Sequence, residues 1–286
     1  MRSLLVAAGL LLATACTSSP DPPPSVVPLE AELTRPGTLT VCVSLLGPPA
    51  ASLDASGAPA GYNVDFAREV AARMGLEADL RETSFPELLA AVDEHACDAS
   101  ISSQNIVSER LERIDFVPYT RAGQRVLVAA GNPRDVFGLE ELCGLRVSAG
   151  EGTTHVDLVA GTGDFAGQGL SELCAQLGRA PIELETFPAE DEAVAALMAG
   201  AVDAHLGNPN YVFEHPQGLE LSLATLPAAR QGIGVAKDRP SIRQAVEEAL
   251  EAMIADGTYH EVLLDHLRDE QSARDGSIAE QALETP

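Results

Sequence analysis

The sequence predicts an α/β fold of two similarly built halves, and three observations support this expectation. Segments with the alternating, β-branched pattern of strands are followed by segments with helical periodicity, which favours parallel α/β architecture. One succession of motifs occurs twice along the chain. The 286 residues are 45% hydrophobic, which is enough to bury the core of one large or two ordinary domains.

The first strands and helices are predicted from local patterns. Residues 38–44 alternate as in a strand, and residues 65–74 place Phe66, Val70 and Met74 on one helical face, with Gly75 positioned to end the helix. A second strand over 78–84, a helix from Pro86 and a third strand over 98–102 are expected to follow. The alternation of strand and helix is therefore regular over the first hundred residues.

The repeated succession consists of Phe-Pro, an alanine-rich helix and a strand that begins with Asp-Ala. It occurs at 85–86 and 98–99, and again at 187–188 and 203–204. The distance from proline to aspartate is 12 residues in the first case (86 to 98) and 15 in the second (188 to 203), so the two segments do not form a tandem repeat. Two similar lobes would explain the recurrence, and chance similarity of alanine-rich helices would explain it equally well.

A helix is predicted after Pro240, with Ser241 as its N-cap and Gly257 at its end. Its apolar residues recur at the spacing of one helical face: Ile242, Ala245, Val246, Ala249, Leu250, Met253 and Ile254. Such a stripe indicates core packing rather than a cofactor site. The polar tail beyond residue 267 is expected to be loosely ordered.

The N-terminus has the pattern of an export signal. Arg2 precedes an apolar run over 4–12, which is shorter than the about 20 residues that cross a bilayer, and small residues lead to Cys16. We interpret 1–15 as a signal peptide. A cysteine at this point resembles the lipobox of bacterial lipoproteins, which implies that Cys16 carries lipid; an ordinary signal peptide with an incidental cysteine is the alternative. Residues 16–33 are expected to be a lipidated, proline-rich linker.

The net charge excludes one class of partner. The chain has 43 acidic and 18 basic residues and a formal charge of −25, whereas nucleic-acid binding needs clustered lysine and arginine. The acidic residues are dispersed, which is typical of a well-solvated surface.

Four cysteines remain if Cys16 carries lipid, and an even number in an exported protein suggests two disulfides. Three pairings are possible. Cys42 and Cys97 lie in strand-like segments of the first half, and Cys143 and Cys174 lie in the middle segment, so we expect 42–97 and 143–174. A zinc site is the weaker alternative, because C-x-x-C does not occur and the histidines lack ligand spacing. We expect neither a metal nor a cofactor.

Seven short motifs follow one another in a characteristic order. They are GYNVDF at 61–66, SSQNIVSER at 102–110, IDF at 114–116, LCG at 142–144, GTT at 152–154, VDA at 202–204 and DGTY at 256–259. The set resembles the signature of the family 3 extracellular solute-binding proteins, which are the polar-amino-acid-type receptors of bacterial ABC importers. The resemblance covers about residues 34–286, and Asn63 departs from it because an acid is usual there. Both expected disulfides recur in a cysteine-bearing branch of the family.

The resemblance implies the two-lobed, type II periplasmic-binding-protein-like fold, with a ligand clamped in the cleft between the lobes. Residues 34–128 and 230–286 are then lobe 1, and residues 129–229 are lobe 2. The implied function is a lipid-anchored extracytoplasmic receptor that delivers a small carboxylate-bearing solute, an amino acid or a derivative, to ABC permease subunits. It is expected to be a monomer and not an enzyme, on the outer face of the cytoplasmic membrane or in the periplasm.

The same resemblance implies the ligand contacts, which are Arg110, Thr154, Thr153, Ser103, Asn105, Asn208 and Glu151. Arg110 matches the arginine that binds the α-carboxylate, and its planar guanidinium suits a carboxylate. On the residues alone, an exposed arginine in a short helix capped by Ser108 is the alternative. Thr153 and Thr154 are expected to open a helix, where N–H and hydroxyl groups favour an anion.

Several departures from the family pattern concern the ligand. Asn208 stands where an aspartate usually pairs with the ammonium group, Gly47 stands where an aromatic ring usually stacks, and Asn105 replaces a threonine or serine. Glu151 is the candidate substitute acid. We therefore expect a cleft that favours anions and a ligand that is not a standard α-amino acid.

Two other functions remain open on the sequence. One is a lipoprotein that senses the ligand and reports it to a membrane partner. The other is an enzyme similar to the dehydratases of this fold that act on prephenate-like acids, for which Glu151 and His155 are the nearby acid–base candidates.

Overall fold

The computed structural model describes residues 28–45, 47–209 and 211–267. The predicted signal peptide, Cys16, most of the linker and the polar tail lie outside the described residues. The strands are β1 (Thr38–Val43), β2 (Ser52–Leu53), β3 (Pro59–Ala60), β4 (Glu77–Glu82), β5 (Ala99–Asn105), β6 (Ile114–Ala129), β7 (Arg146–Gly150), β8 (Glu183–Phe187), β9 (Ala204–Gly207) and β10 (Leu219–Ala236). The helices are α1 (Leu29–Glu32), α2 (Tyr62–Arg73), α3 (Leu88–Asp93), α4 (Ser108–Arg113), α5 (Thr154–Ala160), α6 (Leu170–Gln176), α7 (Glu190–Met198), α8 (Tyr211–Glu214), α9 (Pro240–Asp256) and α10 (Thr258–Leu267).

Eight of these strands form one mixed sheet in the order β4-β1-β5-β10-β6-β9-β7-β8. Strand β1 pairs in parallel with β4 and β5, and β7 pairs in parallel with β8 and β9. The long strands β6 and β10 are antiparallel to each other and to their outer neighbours. The predicted α/β fold is confirmed, but the sheet is mixed rather than parallel throughout.

The strand order explains the repeated motifs. The triplet β4-β1-β5 has the same internal order as β8-β7-β9, with the first strand of each half in the centre. One Phe-Pro motif follows β4 and the other begins at the last residue of β8, and the two Asp-Ala motifs lead into β5 and β9. The recurrence therefore reflects two similarly built halves.

Buried apolar side chains form separate clusters in the two halves. The first cluster contains Tyr119 of β6 and Ile233 of β10, whereas the second contains Val126 and Leu226 of the same strands. Both long strands therefore pass from one cluster to the other.

Each half holds a buried aspartate just before an inner strand. Asp98 is fully buried and accepts hydrogen bonds from the backbone N–H groups of Thr34 (2.7 Å) and Thr40 (2.8 Å) and from Arg239 (2.8 Å). Asp203 accepts hydrogen bonds from the side chains of Arg134 (2.7 Å) and Arg146 (3.1 Å). The two aspartates of the Asp-Ala motifs thus fasten the strands and do not face the ligand cleft.

The boundaries of two helices differ from the prediction. Helix α2 begins at Tyr62, three residues earlier than expected, after Gly61 with a φ of 119°. A Cβ atom at Gly61 would lie 2.5 Å from the carbonyl oxygen of Ala50, so only glycine fits there. Helix α9 begins at Pro240, and Ser241 is not its N-cap. Instead, the Glu32 carboxylate accepts the backbone N–H groups of Ser241 (2.9 Å) and Ile242 (3.1 Å).

The contact of Glu32 with α9 also changes the extent of the linker. Residues 29–33 were expected to belong to the proline-rich spacer, but 29–32 form α1, and Glu32 and Leu33 are buried. The carboxylate is held by the first turn of α9, which has unpaired N–H groups to offer. The folded part of the chain therefore begins before residue 34.

Both expected disulfides are present. Cys42 is bonded to Cys97 with an S–S distance of 2.02 Å, and Cys143 to Cys174 with 2.01 Å. They enclose 55 and 31 residues, so each is worth about 4 kcal/mol on the loop-entropy estimate.

Candidate functional site

A cavity of about 240 Å³ is lined by residues from both halves. The lining comes from the loops that follow the carboxyl ends of β1, β4, β7 and β8, which is where α/β folds commonly bind ligands. The first half contributes Ser44, Leu45, Glu82, Thr83, Ser84 and Phe85, and the second contributes Gly150, Glu151, Thr153, Pro188, Ala189, Glu190 and Asp191.

The cavity wall is acidic. Four carboxylates line it, from Glu82, Glu151, Glu190 and Asp191, and among the described lining residues there is no lysine or arginine. The expectation of a cleft that favours anions is therefore wrong for this wall. That expectation rested on Arg110, which lies outside the lining, and on the Thr153–Thr154 turn, of which Thr153 lines the cavity. It missed carboxylates that lie far apart in the sequence.

Arg110 lies in α4, just after β5, and is only 5% exposed. Its Nη1 donates to the carbonyl oxygen of Asn105 (2.9 Å) and its Nη2 to that of Gly152 in the other half (2.8 Å). Its guanidinium also lies 5.5 Å from the centre of the Phe85 ring. Burial lowers the pKa of Arg110 to about 10, so the side chain remains charged at neutral pH.

The surroundings of Arg110 decide against the alternative of an exposed helix residue. The N-cap of α4 is Val107, and Ser108 is the first helical residue. Within the described ranges no carboxylate lies within 4.0 Å of the guanidinium. Among the described residues the guanidinium donates hydrogen bonds only to carbonyl oxygens, and the carboxylates of Asp157 and Glu109 act on it from beyond ion-pair distance. Such a buried cation carries a desolvation cost, and an anion in direct contact would offset it.

Asn105 and Thr154 meet across the two halves. The side-chain amide of Asn105 donates to Oγ1 of Thr154 (2.7 Å), and Asn105 Oδ1 is buried without a hydrogen-bond partner among the described atoms. Thr154 begins α5, and Thr153 precedes it, with its hydroxyl donating to the carbonyl oxygen of Gly150 (2.7 Å). Arg110, Asn105, Thr153 and Thr154 are therefore brought together at the boundary of the halves.

Ser103 has a different environment from the other predicted contacts. It is not one of the residues that line the cavity, and its Oγ lies 2.9 Å from the hydroxyl of Tyr62. Asn63 donates to the same Oγ (3.1 Å) and accepts from the hydroxyl of Tyr119 (2.6 Å). An amide can donate and accept at once, which a carboxylate cannot, so this network explains Asn63 where an acid is usual.

Glu190 is one of the cavity residues that the sequence did not reveal. Its Oε1 accepts the backbone N–H of Asn208 and lies 3.3 Å from Nε2 of His205. Nδ1 of His205 lies 3.0 Å from the hydroxyl of Ser148. The only sequence signal was its place two residues after the second Phe-Pro motif, in the segment that follows the carboxyl end of β8.

The remaining predicted residues divide between the cavity and the interior. Glu151 is exposed and lines the cavity, as the substitute acid was expected to do. His155 is buried in α5 and does not line the cavity, and burial lowers its pKa to about 4. The imidazole is therefore neutral at pH 7. Phe85 supplies an aromatic wall to the cavity, whereas the family pattern places the aromatic ring at the position of Gly47.

The described residues also bear on membranes and metals. Among the described residues, no helix has the length and apolar character needed to cross a membrane. In the same ranges, histidine, cysteine and acidic side chains form no group of three or more that could hold a metal ion.

Comparison with known proteins gives consistent similarities. The model of the family "Bacterial extracellular solute-binding proteins, family 3" matches residues 39–268. The L-cystine-binding protein TcyJ of Escherichia coli K12 is 29% identical over 227 residues, which are 78% of this chain and 79% of TcyJ. The probable ABC transporter arginine-binding protein ArtJ of Chlamydia trachomatis is 26% identical over 224 residues, which are 75% of this chain and 80% of ArtJ. An ancestral arginine-binding protein bound to arginine superposes with a TM-score of 0.71 at 26% identity, over 80% of this chain and 98% of that one.

Proposed function

Because this chain belongs to the bacterial extracellular solute-binding proteins of family 3, we propose that it is the receptor of an ABC importer and binds an amino acid or amino-acid derivative. The observation that carries this proposal is Arg110, a buried cation at the boundary of the two halves with no carboxylate of the described chain within 4.0 Å. The ligand's carboxylate takes that place.

The geometry around Arg110 suits a carboxylate. Its two hydrogen bonds to carbonyl oxygens use two of the five N–H donors of the guanidinium. Arg110 belongs to the first half, and its bond to Gly152 connects it to the second half. An anion that binds the remaining N–H donors of Arg110 therefore contacts a guanidinium that touches both halves. Ligand binding and closure of the halves are then coupled.

The acidic wall supports a ligand that also carries a positive charge. An amino acid has both a carboxylate and an ammonium group, and the relatives are named for arginine and cystine. The argument against a standard amino acid rested on the departures at Gly47, Asn105 and Asn208, of which only the last concerns a charge partner for the ammonium group. The cavity carries four carboxylates from other positions, any of which can supply the charge that Asn208 lacks.

We place the receptor outside the cytoplasm, with residues 1–15 as signal peptide and Cys16 as its lipid anchor. The two disulfides support an oxidising compartment. The proposed lobes are 34–128 with 230–286, and 129–229. Permease subunits are the proposed partners of a monomeric receptor.

Catalysis is not part of the proposal. Ser148, His205 and Glu190 form a hydrogen-bonded chain, which is the kind of arrangement that activates a serine nucleophile. However, Ser148 and His205 are fully buried and do not line the cavity, so a substrate there does not reach the hydroxyl.

The proposal is tested by thermal unfolding of residues 17–286 with a panel of L-amino acids and L-cystine. A ligand at a hundred times its Kd stabilises by about 2.7 kcal/mol. We expect Arg110→Ala to abolish this stabilisation. Arg113→Ala is the matched control, because Arg113 lies in the same helix and pairs with Asp93 at the surface. Equal ligand stabilisation of Arg110→Ala and the wild type would contradict the proposal.

A further inference from the structure

We propose that Glu190 is the carboxylate that binds the ligand's ammonium group, and that Gly207 and His205 position it. The inference rests on the proposed function, since it assigns a binding residue within the same cavity. Asn208 occupies the position of the expected acid, and its amide side chain offers no full negative charge. Glu190 reaches this place from the start of α7, where its Oε1 accepts the backbone N–H of Asn208.

Gly207 provides the space for the Glu190 carboxylate. A Cβ atom at Gly207 would lie 2.1 Å from Glu190 Oε1 and 2.1 Å from His205 Nε2. Any other residue at 207 therefore displaces both side chains. The position of the Glu190 carboxylate therefore depends on a glycine at 207.

His205 holds the carboxylate from the protein interior. His205 Nε2 lies 3.3 Å from Glu190 Oε1 and its Nδ1 lies 3.0 Å from the hydroxyl of Ser148, so the tautomer with its proton on Nε2 donates to the carboxylate while Ser148 donates to Nδ1. His205 and Ser148 are fully buried. The Asn208 N–H and the imidazole both meet Oε1, and we assign the second oxygen to the ligand.

The other three cavity carboxylates are less suited to this role. Glu82, Glu151 and Asp191 are exposed, whereas the Glu190 side chain is only 14% exposed. A charge that is partly desolvated and held by fixed donors interacts more strongly with a ligand than a mobile charge in water does. Asp191 already accepts a hydrogen bond from the hydroxyl of Tyr211.

The test compares the tightest-binding amino acid of the panel with the matching acid that lacks the α-amino group, by calorimetric titration of residues 17–286. We expect Glu190→Gln to weaken binding of the amino acid about 30-fold or more, and binding of the des-amino acid less than about 3-fold. Glu192→Gln is the matched control: Glu192 lies in the same helix, is exposed and does not line the cavity, so its binding should equal that of the wild type.

Two more variants separate charge from structure. Gly207→Ala should weaken amino-acid binding in the same direction, and it should also lower the melting temperature without ligand, because its Cβ atom displaces the fully buried His205 ring as well as the Glu190 carboxylate. The double variant Glu190→Gln, Asn208→Asp carries a carboxylate on the residue whose backbone N–H binds Glu190 in the wild type. It should bind the amino acid at least 10-fold more tightly than Glu190→Gln alone.

The possible outcomes distinguish this inference from the proposed function. If no panel member stabilises the wild type, the proposed function fails and this inference fails with it. If the wild type binds an amino acid and Glu190→Gln binds it equally well, only the assignment of Glu190 is refuted. Equal losses for the amino acid and the des-amino acid also refute that assignment, because they indicate a damaged cavity rather than a missing charge partner.

Discussion

Asp203 contributes to stability in a way that depends on pH. Burial raises its pKa, but hydrogen bonds from the Arg146 side chain and backbone, and from Arg134, outweigh this and lower the pKa from 3.8 to about 2. The carboxylate therefore stabilises the folded state when it is ionised. Its contribution is fully present well above pH 3.8 and is lost as the pH falls towards 2.

The magnitude follows from the two pKa values. The difference corresponds to about 2 kcal/mol at pH 6, of which less than about 1 kcal/mol remains at pH 2.5. Asp203→Asn removes the contribution, so the difference in unfolding free energy between wild type and variant should shrink by about 1–2 kcal/mol over that range. The Asp203 side chain is 8% exposed, but Arg134 and Arg146 are 51% and 42% exposed, so screening by solvent places the effect towards the lower figure.

The assay is urea unfolding of residues 17–286, with intact disulfides, at several pH values between 6 and 2.5. Asp93→Asn is the control, because Asp93 and its partner Arg113 are each 44% exposed and such surface pairs contribute about 0–1 kcal/mol. If the difference between wild type and Asp203→Asn stays constant over this range, the explanation of the low pKa is wrong.

Two further variants probe stability in the two halves. Asp98→Asn should lower the unfolding free energy, measured in urea, by about 3–5 kcal/mol, because it removes one member of a buried ion pair with Arg239. A loss below about 1 kcal/mol, which is typical of an exposed pair, would refute this. Replacing Cys143 and Cys174 together by serine should lower the unfolding free energy by about 4 kcal/mol, which calorimetry should show as a lower melting temperature; equal melting curves for the variant and the wild type would count against it.

The parts of the fold that depend on local patterns could be predicted from the sequence. The stripe of α9 is buried at Ile242, Val246, Leu250 and Met253, because helical periodicity alone decides which residues share a face. The disulfides were predictable because each joins cysteines within one half.

Features that depend on the order of strands in the sheet could not be predicted. Glu190 and Asn208 are 18 residues apart and meet only because α7 packs beside β9. Glu32 reaches Ser241 over 209 positions. Arg110 was found by resemblance, whereas its burial and its contact with Gly152 require the second half to be in place.

The passage of β6 and β10 between the two halves has a mechanical consequence. Between the pairs Leu226–Gln124 and Ala229–Ala122 the register shifts, so that two residues of β10 face one of β6. A bulge of this kind bends and twists a ribbon where the ladder is already interrupted. Bending the ribbon there stretches few backbone hydrogen bonds, because the ladder is already open at this point. In the proposed receptor, closure of the halves then bends the ribbon at an interruption of the ladder rather than across intact backbone hydrogen bonds.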